Sequence, residues 1–196
     1  MHPISWNLLL SVTLSTVCFA AFTWGVKRHF LVHQRVPSGT VVMGALGLLG
    51  MGVFLVSVVM QPHGAAMPVA LYAASLTLFL WAVVATRRQR LTLAFSEDSP
   101  QHLAADGPYR FVRHPFYVSY MLFWLANAVA TAAWAPWIVL AAMSGIYVLA
   151  AVREEGKFMR STVGDLYEEY RRQTGMFFPK IGPGLLKGAP GVAPRA

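Results

Sequence analysis

The chain alternates between long apolar runs and shorter polar or charged intervals. Five runs, at 4–26, 40–60, 68–85, 116–133 and 136–152, are long enough to read as membrane-crossing helices. A helix rises 1.5 Å per residue and needs about 20 residues to cross a hydrocarbon core of about 30 Å. The last three runs therefore predict spans that tilt or that end in the interfacial region. The fold class expected is an all-α integral membrane protein of five transmembrane helices. One membrane domain takes up residues 1–180, and a Gly-, Pro- and Ala-rich tail at 181–196 is expected to be disordered.

Within this pattern the small and polar residues have positional meaning. Gly44, Gly47, Gly50 and Gly52 make a shallow groove on the second helix and predict a close helix-helix seam, while the Ser and Thr residues of the first run suit interhelical packing. Residues 87–95 predict a short interfacial helix with Leu91, Leu93 and Phe95 toward the acyl chains, followed by a polar, mobile connection at 96–106. Beyond the fifth run the helical pattern continues through 153–172 as a charged helix leaving the membrane, with Gly156 and Gly164 as candidate bends. His29 and His33 are four apart and suit either a metal-ligand pair or an interfacial contact. With Lys27, Arg28 and Arg35 around them and no carboxylate beside them, the interfacial role is favoured, and no metal site is predicted. Cys18, the only cysteine, reads as a core residue.

Charge then orients the helices. All 16 Lys and Arg and all 8 Asp and Glu fall after the first, third and fifth runs, which a five-span topology places on one side. The positive-inside rule makes that side cytoplasmic and puts the N-terminus outside, as expected for a multi-pass protein of a bacterial inner membrane. The opposite side receives only short loops, so charge-dependent chemistry is expected at the cytoplasmic face. A net charge of +8 spread through three segments fits anionic membrane lipids as partners and argues against nucleic acid. No Asp, Glu, Lys, Arg or His lies in the middle of a span, which argues against transport, and no mid-span histidine pair exists to ligate haem.

Two polar stretches face each other across the last hairpin. GPYRFVRHPFY at 107–117 and REEGKF at 153–158 lie about equally far from the turn at Trp134 and Ala135, roughly 30 Å at the helical rise. Pro115 suits a helix start, so Arg110, Arg113 and His114 gather at a positive helix end that favours an anion. Glu154 and Glu155 add acceptors for an ammonium, a ribose diol or a cationic sulfur. A zwitterionic ligand with a ribose would satisfy both ends. The alternative is an interfacial salt bridge between Arg113 and Glu154 or Glu155, with His114 capping a carbonyl.

The block GPYRFVRHPFYVS, a further span, the REE triplet and GDLYEEYRR together resemble the C-terminal signature of the isoprenylcysteine carboxyl methyltransferase and phospholipid methyltransferase superfamily, over about residues 107–181. The resemblance implies an integral membrane enzyme using S-adenosylmethionine, bound at the cytoplasmic side by the last two spans and the C-terminal segment. By position it implies Tyr109, Arg113, His114, Tyr117, Glu154 and Glu155 as cofactor-site residues, closed over by Tyr167 and Tyr170. The acceptor it implies is lipophilic, with an isoprenylcysteine, a phospholipid amine, a hydroxylated polyketide lipid and a small thiol all open. A carboxylate or phenolate acceptor would need an Arg to position it, Arg153 or Arg110, whereas an amine would need a base, Glu155 or His114. Ser119 stands where the family usually has Gly, and the tail after Tyr170 lacks the further basic residue and Val-Pro of the prenylcysteine enzymes.

The orientation is checked by accessibility. Gly64→Cys should react with a membrane-impermeant thiol reagent on intact cells and Ser99→Cys only after lysis; the opposite result would place the charged face outside.

Overall fold

Apolar helices make up most of the chain in a computed structural model that describes residues 6–31, 37–61, 66–87, 91–92 and 102–180. They are α1 (Trp6–His29), α2 (Ser38–Met60), α3 (Ala66–Thr86), α4 (Pro115–Val129), α5 (Ala135–Met159) and α6 (Gly164–Gln173). A 3-10 turn at Gly107–Arg110 precedes α4, and β1 (Phe30–Leu31) pairs in parallel with β2 (Leu91–Thr92). The chain is an all-helical membrane protein: 6–26, α2, α3 and α5 are each long and apolar enough to cross a membrane. His33, the loop at 62–65 and the tail at 181–196 lie outside the described residues.

Three expectations change. The interfacial helix at 87–95 does not form over Leu91–Thr92, where the backbone runs extended and bonds to Phe30–Leu31 instead of to its own preceding turn. The helical pattern from 153 to 172 is broken, with α5 ending at Met159 and α6 starting at Gly164, while Gly156 stays inside α5. A Cβ on Gly164 would lie 2.8 Å from the Met159 carbonyl oxygen, so the tight turn there requires glycine. Finally, α4 has 15 residues, ~22 Å of helix, and stops before the predicted 133. The Ala132 N–H donates to the Gln61 carbonyl at 3.0 Å and the Thr131 N–H to Ala128, which diverts the chain from helical bonding. The same bond sets the end of α4 level with the end of α2.

In a bilayer, apolar burial adds little between helices, so ring packing and hydrogen bonds carry the specificity. Phe22 of α1 packs with Phe79 of α3 at 4.9 Å between centroids and with Tyr120 and Phe123 of α4 at 4.8 and 5.4 Å. Each such pair contributes about 0.5–1.5 kcal/mol beyond its area. Toward the Gln61 end, Asn127 Oδ1 accepts from Ser15 Oγ at 2.8 Å and Tyr72 OH at 2.6 Å, joining α1, α3 and α4. Ser75 of α3 donates to the Ser119 carbonyl at 2.7 Å, a close contact between α3 and α4.

The glycines of α2 divide by face. Gly50 packs where a Cβ would meet Val139 of α5 at 2.7 Å and Trp124 of α4 at 2.9 Å, Gly47 lies on Phe19, and Gly44 and Gly52 have nothing within 4 Å. Gly50→Ala should therefore lower the melting temperature in detergent, by an overpacking cost of about 1–3 kcal/mol, while Gly52→Ala should not.

Candidate functional site

Gly107 opens the site. Its φ of +59° and the Ala85 Cβ that a side chain would meet at 2.8 Å leave room only for glycine where the chain turns back against α3. Pro108 and Pro115 then preset the 3-10 turn and the start of α4. Between them the backbone of Val112–His114 is held by the segment after α6: Val112 and Gly175 form a parallel bridge, Arg113 N–H donates to Gly175 at 2.8 Å and His114 N–H to Met176 at 3.2 Å. Gly175 allows the turn of the strap that follows it, because a Cβ there would collide with the Phe178 carbonyl.

Side chains from α4 and α5 meet beneath this strap. Arg113 gives Nε and Nη2 to Glu155 Oε1 at 2.9 and 2.8 Å, and its Nη1 to the carbonyls of Thr174 and, at 3.4 Å, Arg171. His114 sits between the two carboxylates, with Nε2 3.2 Å from Glu155 Oε1 and Nδ1 3.3 Å from Glu154 Oε2. Tyr117 OH donates to Glu154 Oε1 at 2.8 Å. The salt-bridge alternative is thus realised between Arg113 and Glu155, whereas His114 bonds carboxylates and caps no carbonyl. Burial favours the neutral form of His114, but hydrogen bonds and charge from Glu154 and Glu155 outweigh it and raise its pKa above the ordinary 6.5.

Tyr170 and Tyr167 bring α6 onto the cluster. Tyr170 OH donates to the Tyr109 carbonyl at 2.7 Å, and Tyr167 stacks on Phe158 with centroids 4.8 Å apart. Both are buried, and the Tyr167 hydroxyl, beside the Glu155 and Arg113 side chains, makes no hydrogen bond of good geometry among the described residues. Tyr109 is likewise buried, which pushes its phenol well above its ordinary range. Arg110 and Arg153 are exposed. Residues 174–176 and Arg171, whose Nε is 4.0 Å from Glu155, belong to the cluster although none was named as a site residue. The signals were the GDLYEEYRR block, which contains Arg171, and Gly175, a glycine just past a helix end.

His114 yields a pH test. A histidine whose folded pKa is raised contributes stability that is fully present below its unfolded value, near 6.5, and is lost as pH climbs through the higher folded value. The excess melting temperature of wild type over His114→Gln should be largest at about pH 6 and shrink as the buffer becomes alkaline. A constant difference across that range would contradict the raised pKa.

The same region is shared with known proteins. Residues 63–165, a little over half of the chain, match the phospholipid methyltransferase family. The chain is 37% identical over 87 residues to the methanethiol S-methyltransferase of Crocosphaera subtropica, covering 44% of this chain and 32% of that one. It is 28% identical over 146 residues to the enzyme of the same name from a Pseudomonas species, covering 74% and 48%, and 27% identical over 172 residues to that of Mycobacterium tuberculosis, covering 88% and 61%. The chain thus spans about a third to three fifths of the length of these relatives. No solved structure matches it. With the matched residues carrying α3, α4, α5 and the Arg113, His114, Glu154 and Glu155 cluster, the chain belongs to the phospholipid methyltransferase family.

Proposed function

We propose that the protein is an S-adenosylmethionine-dependent methyltransferase that methylates the sulfur of a small apolar thiol at the cytoplasmic face of a bacterial inner membrane, with α4 as a short fifth span. The observation that carries the reading is the carboxylate pair of Glu154 and Glu155, delivered by α5 onto His114, Arg113 and Tyr117 at the start of α4. The family match and the names of the relatives support methyl transfer and, for the relatives, a thiol acceptor.

The residues present fit the donor. S-adenosylmethionine supplies an electrophilic methyl group on a cationic sulfur, with an ammonium and a ribose diol beside it. Carboxylates suit all three features, and the buried Tyr167 hydroxyl has an unused donor within the cluster. Glu154 is the residue we assign to the ligand, because Arg113 and His114 already neutralise Glu155. The guanidinium of Arg113 is taken up by Glu155 and two carbonyls, so we assign it to positioning rather than to an anionic ligand group.

Chemically, the protein must orient the acceptor, exclude water and take one proton. The acceptor sulfur forms its bond to the methyl carbon as the sulfonium bond breaks, and the thiol proton leaves to a base. We assign Glu154 Oε2, 3.3 Å from His114 Nδ1, to receive that proton. Beside the cluster, Tyr117, Tyr120 and Tyr147 are buried and pack ring on ring, an apolar neighbourhood compatible with a soft sulfur compound. A second reading, methylation of a lipid amine, has the family match in its favour.

Detergent-purified protein should bind S-adenosylhomocysteine by calorimetry, and Glu154→Gln should weaken that binding while the protein stays folded. Supplied with methyl-labelled donor, ethanethiol and phosphatidylethanolamine vesicles together, it should place label in the volatile thioether. Label in the lipid extract would favour the second reading. Neither product, with no S-adenosylhomocysteine binding, would overturn the assignment.

A further inference from the structure

Resting on that reading, we infer that Tyr147 is a positioning residue that holds Glu154 in register through Tyr117. Tyr147 lies on α5 two helical turns before Glu154 and so on the same face, with Ala150 and Ala151 fully buried between them. Its ring lies nearly parallel to that of Tyr117, at 13° with centroids 5.6 Å apart. The Tyr117 ring also meets the His114 ring at 5.6 Å and 22°. Tyr117 therefore has two flat neighbours, one in the charged cluster and one in the helix interface.

The column is fixed at its lower end. Tyr147 OH accepts the Trp124 indole N–H at 3.0 Å, and both residues are buried. The route is continuous: Trp124 fixes the Tyr147 ring, Tyr147 fixes the plane of Tyr117, and Tyr117 OH fixes Glu154 Oε1 at 2.8 Å. Glu154 Oε2 is then left against His114 Nδ1. Glu154 is partly exposed, and a half-exposed glutamate on its own samples several rotamers. The Tyr117 hydrogen bond and the His114 contact select one, and an aromatic stack selects the tyrosine that selects it. Offset stacks of this kind resist ring rotation without adding a charge or another polar group to the membrane interior.

Two measurements test this. In the ligand-free protein, the groups around His114 are Glu154 and Glu155 from α5, Arg113 and Tyr117 from its own segment, and Arg171 from α6 near Glu155. With carbon-labelled histidine, NMR titration of His114 should show a lower midpoint in Tyr147→Leu than in wild type, because Glu154 leaves Nδ1. Tyr147→Phe, which keeps the ring, should restore most of it. The second measurement is S-adenosylhomocysteine affinity in a double-mutant cycle. Tyr147→Leu should weaken binding roughly tenfold in the wild-type background. It should weaken binding scarcely at all once Tyr117→Phe has removed the hydrogen bond to Glu154.

Equal losses in both backgrounds would show a merely structural role and overturn the inference, as would an unchanged His114 midpoint. If Tyr147→Leu does not fold, Trp124→Phe replaces it, and a midpoint that stays put in that variant overturns the inference equally. A wild-type protein that shows the His114 shift but no S-adenosylhomocysteine binding would remove the assigned activity and leave the positioning role standing.

Discussion

A single guanidinium ties three parts of the molecule together. Arg113 leaves the chain just before α4, pairs with Glu155 near the end of α5, and donates to carbonyls of Arg171 and Thr174 at the end of α6. A buried charge is costly unless all its donors are met, and removing one partner of such a pair typically costs about 3–5 kcal/mol. The positions of α5, α6 and the strap at 174–176 are therefore coupled. Loosening any one leaves Arg113 or Glu155 short of a partner near the membrane.

That coupling explains how few groups are left over for a ligand. Glu155 is taken up by Arg113 and His114, Tyr170 by the Tyr109 carbonyl, and the backbone of Arg113 and His114 by the strap. What remains is Glu154, bonded to Tyr117 and His114 but partly exposed, and the unpartnered Tyr167 hydroxyl. The site is a rigid frame of charge around a small number of available atoms. Such a division suits a reaction in which orientation does most of the work.

Much of this was legible in the sequence because bilayers and prolines speak in one dimension. Apolar run length gave the helices to within a few residues, and Pro115 with the REE triplet brought His114 and Glu155 to one level, where they lie 3.2 Å apart. What escaped depends on partners remote in the chain. The early end of α4 follows from an amide of Ala132 finding Gln61, and the extended backbone of Leu91–Thr92 from a partner strand sixty residues earlier. The glycine groove was half right, since periodicity shows that Gly44, Gly47, Gly50 and Gly52 can be approached but not which face α4 and α5 occupy. Tyr147 lies in no motif, because its link to the site is a ring face and not a charge.

The strap also dictates an order of assembly. Residues 174–176 lie near the end of the described chain, and they bond to backbone at 112–114 laid down some sixty residues earlier. During synthesis α4 and α5 are made while Arg113 is still short of two carbonyl partners, and the bridge of Val112 to Gly175 cannot form until that strap has left the ribosome. The charged cluster is therefore completed only after residues 174–176 have emerged. Until then, water and lipid headgroups at the interface must stand in for the missing carbonyls.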